Sequence, residues 1–524
     1  MTTAHWALSI AALFWIVLFA IPWRNNGGYG FEQPYNLTCW VAMILMILPV
    51  APALSRLRYS TTSLWLAAGA ALMTLPVLWA PSSDALESAF PRLVGMWGAV
   101  MFYFATLQIG FNRQVSVMLL SIVAMAAMVQ MLVTLLCLYA PQYLPGTLYS
   151  LAAKYGRQAF GTFEQRNVNA SFLATGLGAL LVLLAFSGWG GARKGLLAVG
   201  IVALCTVLVL CQSRIGWIGG VVVIIAIFAL ANSQTYRVHS TFACRQLLFV
   251  LPVIGIVIGL LLCLLPANGS IDMHDSSNIQ RWLTLKYTLD MIAIHPVTGW
   301  GLGSFGGEFQ RYMASLAVNP SREYMAHPHN EVFYQWFEGG VCALTGCLCW
   351  TVGWIKLALR QRRCWQYSAL VMTLPILLHT QVEYPLWFSV PHVMLVLLLL
   401  RIADSSKALS VRPGPLLPAF YIGGLIYAAV LVMQCLYVGQ VLSAFEASRL
   451  DEPESIANLS VPWLMQRRWQ HEITMLRLVR FHQNHEKSEL TAFINENARW
   501  LAINPEPELI QTQRDVQSYL KKYL

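Results

Sequence analysis

The chain has 524 residues, of which 57% are hydrophobic and only 11% charged, and its mean hydropathy is +0.57. Soluble domains carry about 25% charged residues, so this composition excludes an ordinary cytosolic enzyme, a disordered tail protein and a disulfide-rich secreted module. A formal net charge of +10 raises nucleic acid as a partner, but the placement of the charges argues against it.

A helix that crosses a bilayer needs about 20 mostly apolar residues. Thirteen such stretches are predicted, near 6–22, 37–55, 64–80, 93–111, 115–139, 169–187, 195–212, 215–231, 246–265, 331–355, 366–381, 386–400 and 416–443. The first is read as a retained helix, because Ile21-Pro22-Trp23 makes a poor cleavage site. Numbering the connections alternately sorts the charges. One set holds 14 Lys and Arg residues, from Arg56 through Arg113, Arg193 and Arg245 to Arg412, against the single acid Asp404. The other loops hold 10 basic and 12 acidic residues, and the tail from 444 onward 10 and 11. By the positive-inside rule the basic set is cytoplasmic, which puts the N-terminus inside and the long loops and tail outside. Most of the 11 cysteines lie in apolar stretches, with Cys244 and Cys364 on the reducing face, which argues against a disulfide framework or a zinc site.

The predicted fold class is therefore an all-α polytopic membrane protein of about thirteen transmembrane helices. A transmembrane domain covers 1–443, with long outer loops at 140–168 and 266–330, and a small helical domain outside the membrane covers 444–524. Long ordered loops on a rigid scaffold tend to carry function.

Ionisable groups at the outer helix ends are the informative ones, since burying them near lipid is costly. Arg214, in Gln212-Ser213-Arg214, sits between two apolar runs with almost no loop. It either faces an anionic ligand or caps a helix end by snorkelling. Arg281 and Lys286 precede a glycine-rich run, and an ion pair with Asp275 or Asp290 is the plain alternative for Arg281. Gly301–Gly306 satisfies GxGxxG, but no βαβ context surrounds it. A tight turn against a ligand or a neighbouring helix is the better reading.

The sharpest segment is His327-Pro328-His329-Asn330-Glu331. Asn330 is a good N-cap and Glu331 suits a first turn. An imidazole in front of a helix N-terminus is a candidate general base, because the positive end of the helix favours the neutral ring. A metal held by His327 and His329 would need further ligands that the sequence does not place. Glu383-Tyr384 occupies a short outer hairpin, where the carboxylate is costly unless an arginine pairs with it. A last polar cluster, Glu164-Gln165-Arg166-Asn167, enters a helix from the same face. Cations, a base and carboxylates on one side of a membrane suit a lipid-linked diphosphate, whose oxygens match the guanidinium fork.

At these residues the chain resembles the O-antigen ligase and polymerase superfamily and, within it, the bacterial O-linking oligosaccharyltransferases (PglL-type pilin glycosylation ligases). Gln212-Ser213-Arg214 resembles the family's arginine motif. His329-Asn330 with Phe333 and Gly340 matches its histidine motif, with Phe where leucine is commoner, and Phe163–Leu173 and Gln381–Pro385 resemble the protein-glycosylating branch. The resemblance implies a multi-pass enzyme of the bacterial inner membrane, with its site and C-terminus periplasmic. It would move a glycan from undecaprenyl diphosphate to a serine or threonine of a periplasmic protein, usually a type IV pilin, without metal or other cofactor. His329 would be the base, Arg214 and Arg281 would hold the diphosphate, and Asn330, His327, Glu331, Tyr384, Glu383, Gln165 and Lys286 would support them. The alternatives are a lipid A core acceptor, a glycan acceptor, or a lipid-linked sugar transporter. A transporter would place its charges near the midplane rather than at the outer rim.

Overall fold

The computed structural model describes residues 2–21, 23, 25–144, 146–233, 242–265, 275–316, 324–404, 409–411, 414, 416–448 and 454–523. Arg237, Lys407, Arg412, the side chain of Asp275 and the parts 266–274 and 317–323 of the long second loop lie outside them.

Within these residues the chain is helical almost throughout. α1 (Thr3–Ala12) runs on through a π turn to Ala20, and α2 (Pro34–Ile47) and α3 (Thr61–Thr74) end in 3-10 turns. There follow α4 (Ser83–Thr106), α5 (Arg113–Tyr139), α6 (Gly146–Tyr155), α7 (Arg166–Phe186), α8 (Gly191–Leu210), α9 (Arg214–Asn232) and α10 (Phe242–Cys263). α11 (Asp275–Ile294) and α12 (Phe305–Ser315) belong to the second long loop. The second half holds α13 (Glu331–Leu359), α14 (Cys364–Val371), α15 (Leu374–His379), α16 (Pro385–Phe388), α17 (Val390–Ala403) and α18 (Leu417–Ala447). The tail adds α19 (Glu454–Ala457), α20 (Gln466–Asn484), α21 (Lys487–Leu501) and α22 (Pro507–Tyr523).

Ten helices among the described residues are long and apolar enough to cross a membrane, and the chain is an all-α multi-pass membrane protein. The other three predicted stretches are helical but of a different kind. α4 carries Asp84, Glu87 and Arg92 in its first half. The stretch 366–381 is divided between α14 and α15 just before Pro375, and 386–400 starts with the single turn α16 before Pro391 opens α17. Proline removes a backbone donor and opposes helix at the residue before it, so each predicted span breaks there. One departure from the all-α expectation is a small antiparallel pair, β1 (Leu57–Tyr59) with β2 (Leu409–Val411).

α7 is buried along its whole apolar window, as a helix that is hydrophobic all round must be. Between lipid-immersed helices burial of apolar area gives little drive, and close packing of small residues takes its place. Gly69 of α3 and Gly346 of α13 meet in this way: a Cβ on either would lie within 2.7 Å of the other's carbonyl oxygen. At one end of the bundle arginines satisfy open carbonyls at helix ends. Arg401 donates to Thr106 and Ile109, at 2.9 and 2.7 Å, and Arg113 to Phe186 at 2.8 Å. This placement also suits the negative ends of the helix dipoles. The starts of α7, α9 and α13 lie at the opposite end.

In the tail, Arg477 of α20 reaches Glu489 and Glu496 of α21 at 3.2 and 3.0 Å. Leu490 and Phe493 pack with Val516 and Leu520 of α22. Arg468 of α20 binds Glu446 of α18 at 2.9 Å and fixes the tail to the last spanning helix.

Gly346→Leu should force α3 from α13 and destabilise the fold by about 1–3 kcal/mol, the usual cost of overpacking. A lower unfolding temperature in detergent than that of wild type checks this, and an unchanged one refutes the close approach.

Candidate active site

The site is built on the start of α13. Asn330 caps that helix: its Oδ1 accepts from Phe333 N at 2.9 Å, and its Nδ2 donates to Gln381 O at 3.0 Å. Glu331 N donates to Thr380 O at 2.9 Å, and the Glu331 carboxylate accepts from Leu386 N at 3.0 Å. These bonds stitch the helix start to the 380–386 hairpin and fix His329 beside it. His329 itself adopts φ +56°, uncommon for a residue with a Cβ.

The hairpin delivers Glu383 to the centre. One oxygen accepts from Arg281 Nη2 of α11 at 2.5 Å and from Asn167 Nδ2 of α7 at 3.4 Å. The other lies 3.6 Å from His329 Nδ1. Burial alone would push this carboxyl up, but the bond and charge of His329, with Arg281, outweigh it and hold it at about 2 against an ordinary 4.5. Asn167 in turn accepts from Ser213 Oγ at 2.8 Å, and Ser213 caps α9 through Gly216 N. Arg214, the next residue, stands exposed on the first turn of α9. Four elements distant in sequence thus converge on one carboxylate.

Beside this centre, His327 packs against Tyr384, the rings tilted by 47° with centroids 3.4 Å apart, and lies 4.7 Å from the His329 ring. Desolvation among these groups, reinforced by His329, holds His327 well below the ordinary histidine range. Tyr29, from the short loop between α1 and α2, hydrogen-bonds the Tyr384 hydroxyl and lies 3.4 Å from His327 Nε2. The same loop sends Asn25 Nδ2 to Glu164 at 3.0 Å, and burial pushes the Glu164 carboxyl up to about 7. Glu32 at its far end lies 4.0 Å from Arg468, so the loop joins the tail to the site.

The structure brings together His329, His327, Asn330, Glu331, Arg281, Glu383 and Tyr384, with Arg214 reached through Ser213 and Asn167. Packing decides the remaining alternatives. Arg281 pairs with Glu383 and not with Asp290, which is exposed on the same helix, because the hairpin carboxylate is the one left dry. Lys286 points away, exposed on α11 over the ring of Tyr287 at 5.4 Å. Gln165 caps α7 through Val168 N at 2.7 Å. The Gly301–Gly306 run forms no nucleotide loop: Trp300 N and Gly301 N donate to Phe337 O and Glu338 O at 2.8 and 3.0 Å. The turn so covers the break in α13 at Gly340, whose φ +59° and ψ −152° suit glycine alone.

Sequence reasoning missed Tyr29 and Asn25, which sit in a loop with no charge pattern. It also missed the ion pair of Arg92 with the buried Glu338. The signal there was a charge inside one apolar stretch, Glu338, and an opposite charge at the edge of another, Arg92, which burial would force into partnership.

Residues 199–348 match the family described as O-Antigen ligase. The chain carries an O-antigen ligase domain. Residues 367–520 match a second family, Virulence factor membrane-bound polymerase, C-terminal, and both matches agree with the O-antigen ligase and polymerase superfamily. No curated protein matches the chain. The O-antigen ligase domain contains Arg214, Arg281 and His329, the second region Glu383 and Tyr384, so the site draws on both. The family implies ligase- or polymerase-like glycan transfer, acting on lipid-linked glycans in the membrane.

Glu383→Gln should remove the stabilisation that the depressed carboxyl confers. That contribution is complete above its ordinary 4.5 and is lost as pH falls toward about 2. The wild-type advantage in unfolding temperature should hold steady near neutrality and shrink between about pH 5 and 3. A gap independent of pH refutes the ionised assignment.

Proposed function

We propose that the protein transfers a glycan from undecaprenyl diphosphate to a serine or threonine hydroxyl of a periplasmic protein, a type IV pilin above all. It would do so in the bacterial inner membrane, with the site and C-terminus facing the periplasm and the N-terminus the cytoplasm. The observation that carries this reading is His329 held against Glu383, which also grips Arg281, at the end of the bundle opposite the basic loops.

A carboxylate behind Nδ1 favours the ring with its proton there and leaves Nε2 as the acceptor. Nε2 would take the proton of the acceptor hydroxyl as its oxygen attacks the anomeric carbon, and the bond from that carbon to the diphosphate breaks with its electron pair on the phosphate oxygen. Glu383 would stabilise the imidazolium that forms, as a carboxylate behind a catalytic histidine does. The 3.6 Å separation is the loose contact common before substrate binds. Arg281 gives one donor to Glu383, and its fork keeps others for the departing diphosphate, to which Arg214 at the start of α9 would add a second guanidinium. Two guanidinium groups supply the charge that this route asks for, so it calls on no metal ion.

A second reading, in which another glycan is the acceptor, draws on the polymerase region at 367–520. Its chemistry at His329 is the same.

Co-expression with a lipid-linked glycan pathway and a candidate pilin decides between them. Intact-protein mass should show the pilin shifted by one glycan. His329→Ala should cut that product by about 10²–10⁴-fold, the usual worth of a general base, while the variant still inserts. Arg214→Lys should also lose most activity, since lysine offers no bidentate contact. Undiminished product from His329→Ala overturns the base. An unshifted pilin beside lengthened glycan chains moves the acceptor to the second reading.

A further inference from the structure

On the lipid-facing side of the bundle, α5, α8 and α10 enclose an open groove of about 720 Å³. Its floor is α8, where the short Ala198, Ala203 and Thr206 leave room, and its walls are residues such as Leu135 and Ile258. The Thr206 hydroxyl is spent on Val202 O and Gly255 O, both at 3.0 Å. Below Tyr139 at its outer mouth the groove therefore offers hydrocarbon only. From Ala198 to Leu210 it follows α8 for about 18 Å at 1.5 Å per residue, more than half the thickness of a bilayer's hydrocarbon core.

What lies at the mouth decides the occupant. Leu210 ends α8 and lines the groove, and Arg214 begins the next helix a few residues on. From there the contacts Ser213–Asn167 at 2.8 Å and Asn167–Glu383 at 3.4 Å lead to the carboxylate that holds Arg281 and faces His329. An exposed arginine a few residues beyond the end of an apolar slot is complementary to one amphiphile: a long hydrocarbon with an anionic head.

We propose that this groove seats the isoprenoid tail of the glycan donor, so that the diphosphate of the same molecule comes to Arg214. This rests on the reading above that the donor is a polyprenyl diphosphate. Lipid is as apolar as the groove, so seating the tail gains little by transfer and acts through shape. The groove then sets register more than affinity: it fixes how far the head stands from the membrane and along which line it meets the arginines.

The test is labelling with a polyprenyl diphosphate that carries a diazirine in its tail, on the full chain in nanodiscs of phosphatidylethanolamine and phosphatidylglycerol. Peptides spanning 131–139, 198–210 and 251–262 should take the label, and unlabelled polyprenyl diphosphate should compete while added phosphatidylglycerol does not. Ala203→Trp, which fills the floor, should cut labelling of these peptides by about tenfold, because the tail then has no place along α8. Val199→Trp at the lipid-facing edge serves if the first variant fails to fold, and an unchanged unfolding temperature certifies either. Label spread evenly over the lipid-facing helices, equal competition by phosphatidylglycerol (annular lipid only), or full labelling of a folded filled variant overturns the proposal. Labelling needs no turnover, so the two readings fail separately. Groove labelling without glycan transfer retains the tail site and removes the proposed activity, and transfer without groove labelling does the reverse.

Discussion

The arrangement depends on a carboxylate kept ionised out of water. A buried charge of this kind is costly unless several partners compensate it, and Glu383 has three from three elements: Arg281 on α11, Asn167 on α7 and His329 before α13. Its need for partners pulls together helices that share no sequence neighbourhood. Arg281, half in solvent, is thereby aimed, and His329 is given a preferred face.

The rest of the fold serves this point. α13 carries His329 at its start, and it is held on one side by the glycine contact with α3 and on another by the Gly299–Gly303 turn that repairs its break. α7 places Asn167 at the head of a helix whose apolar window is buried throughout. The short helices α15 and α16, interrupted by proline, let the chain turn back within the protein and present Glu383 where a continuous span would have carried it elsewhere.

The loop between α1 and α2 ties the tail to the same place. Arg468 on α20 holds Glu446 at 2.9 Å and stands 4.0 Å from Glu32, while Tyr29 meets Tyr384 and His327. The second matched region, 367–520, spans both the Glu383 hairpin and this tail. The tail is therefore tied to the pocket through a few polar contacts.

Composition and the spacing of apolar runs determined the all-α membrane fold and the sorting of basic loops to one end, because a bilayer imposes length and apolarity on each helix independently of its neighbours. The motifs around Arg214, Arg281, His329 and Glu383 were legible for a similar reason: ionisable groups at apolar helix ends stand out one residue at a time. Partnership was not legible. That Arg281 answers Glu383 and not Asp290, that Lys286 turns away, that Tyr29 enters the pocket and that Arg92 meets Glu338 all depend on which helices touch. Those contacts are set by glycine approaches and proline breaks between segments far apart in the chain, and only the tertiary structure brings them within hydrogen-bond range.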